Sequence, residues 1–313
     1  MTNQDPDETR SASTELHSIG DVATATGISP DTLRMWERRY GRPVPVRLPS
    51  GHRRYTGEQV AWLRRVAEAL AIGHRPGAVV CAPEGELAEL LAGGRQVAAD
   101  DPDLSRLIEH VRHFEGEALT RELLEAWNGL GPNRFLSERV SPLLTAIGRD
   151  WADGKLDVRH EHYASELIAD LLRTLRAGLA RSSDGPTVIL ATLRDELHGL
   201  GLQMCALVCS LQGVRPRILG VGTPNDEITA AAHEVRADAV AISVSLSSGG
   251  VANDRLLAEL RAGLDPEIKL VVGGLGARGV RRGRRGVEYV DSLAKLREWL
   301  SQLDAGLRTP SSD

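Results

Sequence analysis

Two hydrophobic periods divide the chain into a helical first part and an α/β second part. Across residues 17–73 and 104–181, apolar residues recur at the spacing of amphipathic helices. A Ser-Ser-Asp-Gly-Pro hinge at 182–186 is followed by short, almost wholly apolar runs, which are typical of parallel strands buried on both faces. The pattern predicts strands at 187–191, 239–243 and 269–272, with a helix at 201–211 after the first strand.

Breaks in the pattern divide the 313 residues into segments, and a chain of this length is expected to hold two or three domains. We expect disordered tails at both ends and a linker rich in Pro and Gly, within which 85–91 can form a short helix. The predicted segments are a tail at 1–14, a helical module with one hairpin at 15–80, a linker at 81–103, a helical bundle at 104–183, an α/β domain at 184–305 and a tail at 306–313.

A histidine lies where the first predicted strand gives way to its helix, in the run Glu-Leu-His-Gly-Leu-Gly at 196–201. Doubly wound folds open a ligand crevice at this carboxyl edge of the sheet. Glu196 can accept a hydrogen bond from one ring nitrogen of His198 and leave the other as a metal ligand. Gly201 lets a bulky group approach the backbone. The other two strands end at the same edge in small residues, namely Ser243, Ser245, Gly273 and Gly274.

In order and spacing, these elements resemble the cobalamin-binding domain of methionine synthase and its relatives, whose signature is Asp-x-His-x-x-Gly, then Ser-x-Leu, then Gly-Gly. The resemblance covers residues 185–304. It implies that His198 is the lower axial ligand of cobalt and that Glu196 orients it, while the serine and glycine elements line the slot for the displaced tail of the cofactor. This chain differs in having glutamate for the aspartate and Ser-Val-Ser for Ser-x-Leu.

Charge is distributed unevenly in a composition that is otherwise globular, with 42% hydrophobic residues, 26% charged residues and a net charge of −5. Between residues 33 and 54, seven arginines stand against one acid, Glu37. A basic second helix followed by a basic hairpin can reach one DNA surface, which favours a nucleic-acid interface over a solvated face. The arginines are Arg34, Arg38, Arg39, Arg42, Arg47, Arg53 and Arg54.

The runs Ile-Gly-Asp-Val-Ala at 19–23, Thr-Leu-Arg-Met-Trp-Glu-Arg-Arg-Tyr at 32–40 and Gly-His-Arg-Arg-Tyr at 51–55 closely resemble the MerR family of transcription regulators. The resemblance implies a winged helix-turn-helix that binds pseudo-palindromic double-stranded DNA as a dimer. It implies that recognition-helix side chains face the major groove and that wing side chains lie against phosphates. The former are Arg34 and Arg38, and the latter are Arg53, Arg54 and Tyr55.

Trp151 is followed ten residues later by Glu161 and His162, on what is predicted to be the next helix. Together with the two modules on either side, this spacing resembles the Trp-x9-Glu-His motif of CarH-like photoreceptors, whose four-helix bundle caps the upper face of adenosylcobalamin. The resemblance implies that Trp151 packs near the upper ligand and that Glu161 and His162 line the same cavity. Light-sensing members commonly have histidine after the tryptophan, whereas this chain has Ala152. Without that histidine, His162, His160 or water could take cobalt's upper position after the adenosyl group has left. Alternatively, the protein senses the presence of the cofactor without using light.

The sequence therefore predicts a multidomain α plus α/β protein with a winged helix-turn-helix, a four-helix bundle and a doubly wound, Rossmann-like cobalamin domain. Its predicted function is that of a non-enzymatic repressor whose oligomerisation and DNA binding are controlled by adenosylcobalamin and light. One alternative is a corrinoid-dependent methyltransferase or mutase component, although no substrate domain is left over. Another is a regulator that uses methylcobalamin, haem or a linear tetrapyrrole.

The remaining composition bears on location and assembly. Three cysteines without paired metal spacing favour a reducing cytosol, and no apolar run is long enough to span a bilayer. We therefore expect a cytoplasmic homo-oligomer, a dimer or a tetramer, without a membrane partner. The run Arg-Arg-Gly-Arg-Arg-Gly at 281–286 is expected to be a solvated loop, with contacts to a cofactor phosphate, cofactor carboxamides or DNA as alternatives.

Overall fold

The structure is a computed structural model that describes residues 16–26, 28, 30–71, 76–95, 101–179, 184–194, 196–245, 251–274, 276–277 and 283–308. Buried apolar residues in this part of the chain form three clusters. One lies within the first module, and a second covers one face of the α/β sheet. The third is shared between the helical bundle and the other face of that sheet, so the bundle and the α/β domain are built on a common core.

The first module is a winged helix-turn-helix, as predicted. Pro30 occupies the first position of the second helix, where its missing N–H costs nothing. Leu33 and Trp36 are buried on one side of this helix. The strands form an antiparallel sheet of order β1-β3-β2. The elements are β1 (Leu16–Ser18), α1 (Ile19–Thr26), α2 (Pro30–Tyr40), β2 (Val46–Arg47), β3 (Arg53–Thr56) and α3 (Gly57–Ala71).

The first half of the linker predicted at 81–103 is more ordered than expected, since the short helix allowed at 85–91 is part of a longer one. The structure has α4 (Pro76–Cys81) and α5 (Glu84–Arg95), and Leu87 and Leu91 of α5 are buried in the core of the first module. These leucines are one helical turn apart, and their burial against the module outweighs the helix-breaking tendency of the prolines and glycines nearby. Residues 96–100 lie outside the described residues.

The bundle consists of four helices that pack against one another, α6 (Pro102–Arg112), α7 (Gly116–Leu130), α9 (Ser141–Ala152) and α10 (Val158–Ala177). A short α8 (Pro132–Arg134) and a π-helix (Phe135–Val140) run directly into α9. Pro142 explains the wider turn, because it lacks an N–H and its ring crowds the carbonyl four residues earlier. The Ser141 N–H bonds instead to the Leu136 carbonyl, and the Ser141 hydroxyl donates to the same oxygen at 2.9 Å.

The α/β domain is a parallel five-stranded sheet of order β5-β4-β6-β7-β8 with helices on both faces. In β4, Val188 and Leu190 belong to the core shared with the bundle, whereas Ile189 and Ala191 belong to the opposite cluster. This alternation is the period of two expected for a strand buried on both sides. The elements are β4 (Thr187–Ala191), α11 (Leu200–Leu211), β5 (Arg215–Gly220), α12 (Asn225–Glu234), β6 (Ala239–Ser243), α13 (Val251–Gly263), β7 (Lys269–Gly273), β8 (Val287–Val290) and α14 (Leu293–Arg308).

The last helix extends further than the sequence predicted. Helix α14 continues to Arg308, past the start of the tail predicted at 306. The predicted tail at 1–14 and residues 309–313 lie outside the described residues. Over the described ranges, no helix has both the length and the apolar character that crossing a membrane requires.

We expect Leu91→Ala to destabilise the first module by about 2–5 kcal/mol, because Leu91 is buried and its truncation leaves a cavity in the module's core. Calorimetric unfolding of the full chain measures the effect. The control is Glu86→Ala, an exposed position on the same helix, which should change stability by no more than about 0.5 kcal/mol. Identical unfolding of the two variants would show that α5 is not part of this core.

Candidate cofactor site and nucleic-acid interface

The loop between β4 and α11 carries Glu196 and His198 at the carboxyl edge of the sheet. The Thr192 hydroxyl donates to the Glu196 carbonyl at 2.7 Å, and the Gly222 N–H donates to the same carbonyl at 2.9 Å. Gly222 follows β5, the neighbour of β4 in the sheet. The loop is therefore anchored to the adjoining strand end, which fixes the position of the histidine.

Glu196 is a buried carboxylate, 2% exposed, whose oxygens are shared between its own loop and the next strand. Oε1 accepts from the His198 backbone N–H at 2.9 Å and lies 2.7 Å from His198 Nδ1. Oε2 accepts from the backbone N–H of Ser245, just after β6, at 2.8 Å. A buried carboxylate needs such donors to offset its loss of hydration. Glu196 consequently orients the imidazole and joins the ends of β4 and β6.

The His198 side chain remains 55% exposed at this edge. Its pKa is raised, first by the hydrogen bond to Glu196 and further by the charges of Glu196 and Glu161, while burial opposes the shift. Helix α10 packs against α11, which begins two residues after His198. Because Nδ1 is engaged by Glu196, a metal held by His198 would be bound through Nε2.

The serine and glycine elements meet at the same edge, as predicted. A Cβ on Gly201, in the first turn of α11, would lie 2.6 Å from Ser243 Oγ, so the missing side chain lets α11 approach the end of β6. Gly274 directly follows Gly273, the last residue of β7, and has a φ of +98°. Its missing side chain leaves room for the Val244 carbonyl. The bulky group that Gly201 was expected to admit is thus, in this structure, the chain's own serine.

The predicted upper-face residues lie at the end of α9 and the start of α10. Trp151 is partly buried against the core that the bundle shares with the sheet. Glu161 Oε2 is 2.6 Å from His162 Nδ1, and the Ser165 hydroxyl donates to Glu161 Oε1 at 2.8 Å. The His162 side chain is 69% exposed. A carboxylate therefore holds His162 through Nδ1, as Glu196 holds His198.

His160 is built into the bundle instead. Its Nδ1 accepts the Asp157 backbone N–H at 2.9 Å, which caps the start of α10. Its ring centre lies 4.8 Å from that of Phe114, and the residue is buried. The expectation that His160 can serve as an upper ligand is therefore corrected: the structure uses it as a cap and core residue. His162 and water are left from the set that the sequence suggested.

The recognition-helix arginines lie on the exposed side of α2, opposite the buried Leu33 and Trp36. Arg34 is exposed and its Nη1 is 2.7 Å from Asp31 Oδ1. Arg38 is also exposed, one turn further along the helix. Both side chains can reach a ligand in front of α2, which is the geometry that the sequence predicted.

The predicted wing residues do not share one exposed surface. Tyr55 is fully buried, and its hydroxyl donates to Glu37 Oε1 at 2.6 Å. Arg53 Nε donates to Glu37 Oε2 at 2.8 Å, and 31% of the Arg53 side chain is exposed. Strand alternation puts Arg53 and Tyr55 on the side of β3 that faces α2, and Arg54 on the other. The expectation that Tyr55 lies against phosphates is therefore wrong, because its hydroxyl is inside the module.

The sequence did not predict the role of Glu37. It lies on α2 and binds two side chains of β3, so it fixes the wing relative to the recognition helix. Burial and the hydrogen bond to Glu37 raise the pKa of Tyr55 well above its ordinary value, which keeps the phenol protonated as a donor. The available signal was that Glu37 is the one acid in an arginine-rich stretch.

The arginine-rich run at 281–286 is only partly described, since residues 281 and 282 lie outside the described residues. Arg284 is partly buried, and its Nη2 donates to the Asp254 carbonyl in α13 at 2.8 Å. Arg284 therefore braces a helix, which differs from the solvated loop that the sequence suggested.

Comparisons with known proteins agree with this arrangement. Residues 17–80 match the family described as MerR HTH family regulatory protein, and residues 104–176 and 186–291 match two families, each described as B12 binding domain. The HTH-type transcriptional repressor CarA of Myxococcus xanthus is 31% identical over 290 residues, which are 89% of this chain and 94% of CarA. The repressor CarH of the same organism is 31% identical over 271 residues, 84% of this chain and 90% of CarH.

A solved structure supports the architecture of the second half. The monomethylamine corrinoid protein of Methanosarcina barkeri superposes with a TM-score of 0.51 at 13% identity, covering 63% of this chain and 96% of that chain. At this identity the likeness concerns the fold alone. A helical bundle followed by a doubly wound domain is thus a known arrangement.

We expect Glu196→Gln to lower the pKa of His198 towards the ordinary value of about 6.5, because the hydrogen bond to a charged carboxylate is lost. In the wild type the raised pKa means that the pair stabilises the fold fully below the unfolded pKa. This contribution is lost as the pH rises through the folded pKa. Glu196→Gln should remove that pH-dependent component of stability.

An NMR titration of the His198 ring, assigned by comparison with His198→Ala, measures this shift. Glu161→Gln is the matched control, since Glu161 acts on His198 through charge alone and should lower the pKa less. An unchanged His198 pKa in Glu196→Gln would rule out the proposed orientation by the carboxylate.

The two arginine-bearing elements should respond differently to mutation. Arg38→Ala should weaken DNA binding by about 1–3 kcal/mol, because an exposed cation of the recognition helix is removed. Tyr55→Phe should lower the stability of the module by about 0.5–2 kcal/mol and leave DNA affinity and its salt dependence unchanged, because the hydroxyl binds Glu37 inside the fold. The probe is a duplex that the wild-type protein selects from a random-sequence pool. If the salt dependence of DNA binding were weaker in Tyr55→Phe than in the wild type, the result would instead support a contact between Tyr55 and a DNA phosphate.

Proposed function

This chain belongs to the family of MerR-type, B12-binding transcriptional repressors that includes CarA and CarH, and from that premise we propose that bound adenosylcobalamin controls its oligomeric state and its affinity for DNA. The chain is a regulator and not an enzyme, since the relatives that match it over most of its length are repressors. Its cofactor is a cobalamin, and its partner is DNA. The adenosyl form, the response to light and a cytoplasmic location are part of the proposal.

The observation that carries the proposal is the Glu196–His198 pair at the sheet edge, directly before α11, against which α10 of the bundle packs. A corrinoid needs one nitrogen ligand from below and a cover above. His198 supplies an imidazole whose tautomer is set by a carboxylate, and the bundle supplies the cover. The donor set therefore fits a cobalt corrinoid.

Each residue then has a distinct part. His198 would bind cobalt through Nε2, and Glu196 would hold its ring. The slot for the cofactor's tail would be lined by Gly201, Ser243, Ser245, Gly273 and Gly274. Trp151, Glu161 and His162 would cover the cofactor on the side of the bundle. When bound, adenosylcobalamin supplies a cobalt–carbon bond that visible light can cleave.

The upper face of the site differs from that of light-sensing relatives, because Ala152 carries no group that can bind a metal. We propose that His162 takes the role of the histidine that is missing at position 152. Its ring is exposed, and Glu161 holds Nδ1, so that Nε2 is left as the nitrogen that could bind cobalt. Methylcobalamin would use the same lower ligand but would leave more space beside Trp151.

Control of DNA binding requires that the cofactor bind two states of the protein differently, because a ligand shifts an equilibrium only through differential contacts. The bundle and the sheet contribute to one core, so a group held between them acts on both. We propose that adenosylcobalamin favours an even-numbered oligomer, a dimer or a tetramer, whose paired helix-turn-helix modules bind both halves of a pseudo-palindromic site.

The test is the absorbance spectrum and elution volume of the purified protein with adenosylcobalamin, in darkness and after green illumination. We expect a red, corrinoid-bearing protein whose oligomer size changes on illumination. His198→Ala should lose the corrinoid or change its spectrum, whereas His233→Ala, a surface histidine on α12, should not. An unaltered spectrum in His198→Ala would refute the assigned ligand, and an unchanged elution volume after illumination would refute the response to light.

A further inference from the structure

Arg64 of the first module contacts the bundle. Arg64 lies on α3, and its guanidinium carbon is 5.2 Å from the centre of the Trp151 ring in the last turn of α9. Helices α3 and α9 pack against each other. At this distance a guanidinium is attracted to the face of an indole ring, more strongly where water is partly excluded. Both residues are partly buried, so this condition holds.

The same side chain also contacts the helix-turn-helix. Arg64 Nε donates to the Ala25 carbonyl at 3.3 Å, in the last turn of α1. The chain passes from this turn into α2, which carries Arg34 and Arg38. One arginine therefore touches the end of the first DNA-binding helix and the tryptophan of the bundle.

We propose that Arg64 is the residue that couples the upper face of the cofactor site to the helix-turn-helix, an inference that rests on the function proposed above. Stacking of a planar guanidinium depends on the orientation of the indole ring. A group beside Trp151 that turns or shifts the ring changes this contact, and Arg64 passes the change to the Ala25 carbonyl. By linkage, DNA must then change the affinity for the cofactor by the same factor.

A coupling residue and a purely structural contact predict different effects of mutation on DNA binding. An arginine that only stabilises the α3–α9 packing would, when removed, weaken DNA binding by the same factor with and without cofactor. A coupling residue changes the ratio of those two affinities. Lysine at this position would keep the charge and lose the planar stack, so the two residues are not equivalent here.

The experiment measures the Kd for a duplex that the loaded wild-type protein selects from a random pool, at one salt concentration. It compares protein loaded with adenosylcobalamin in darkness with cofactor-free protein. We expect Arg64→Ala to reduce the wild-type ratio of the two Kd values by about threefold to tenfold. The corrinoid spectrum should be retained, because His198 is untouched. Arg255→Ala, which removes an exposed arginine from α13, is the charge-matched control and should keep the wild-type ratio.

A double-mutant cycle assigns the effect to the contact itself. Trp151→Phe keeps an aromatic ring but weakens the stack, and Arg64→Ala should add little to the loss of ratio that Trp151→Phe already causes. Should Arg64→Ala fail to fold, as judged by circular dichroism and calorimetric unfolding, Arg64→Lys replaces it in the test and should also reduce the ratio.

The outcomes separate this inference from the proposed function. A wild-type protein that shows a cofactor-dependent ratio, with Arg64 variants that retain it, would overturn the role of Arg64 and leave the proposed function intact. Equal loss of affinity in both states would likewise reduce Arg64 to a structural contact. A wild-type ratio of one would overturn the proposed function and the inference with it.

Discussion

A carboxylate that is taken out of water needs several donors, and Glu196 finds them on two different strand ends. One oxygen holds the backbone and ring of His198, and the other holds the backbone of Ser245. Removing any one donor would leave a charge in the interior that the remaining bonds could not satisfy. The orientation of the imidazole and the link between the loop after β4 and the end of β6 depend on this one side chain. The longer reach of glutamate, compared with the aspartate of the cobalamin signature, spans loop and strand together.

A partly buried acid organises the first module in a similar way. Glu37 binds the phenol of Tyr55 and the guanidinium of Arg53, so the wing and the recognition helix form one rigid unit. In both the first module and the α/β domain, then, one acid holds together side chains and backbone from two different elements. Between them, the bundle shares its core with the sheet on one side and contacts α3 on the other. A group bound at the sheet edge is therefore connected through packed residues to the DNA-binding surface.

The sequence predicted those elements whose pattern is unambiguous. Strands β4 and β6 were predicted at their observed bounds because central strands of a parallel sheet are almost wholly apolar. The edge strands β5 and β8 were missed, since arginines and Pro216 interrupt one and a glutamate interrupts the other. Motif resemblance found Glu196 and His198 but could not tell that Tyr55 points inward, because a motif names residues and not the face of a strand. The Ser245 contact is to a backbone N–H, 49 positions from Glu196, and leaves no trace in residue type.

The π-helix that Pro142 imposes before α9 has a consequence for the geometry of the whole protein. A turn that contains one extra residue shifts the helical register of everything after it by about 100° around the helix axis, since an α-helix has 3.6 residues per turn. Trp151 lies within α9, downstream of that extra residue. Without it, the indole would point a quarter turn or more away from both the shared core and Arg64. The irregular turn therefore sets the phase of α9, so that its tryptophan packs on the shared core and also contacts Arg64 of the DNA-binding module.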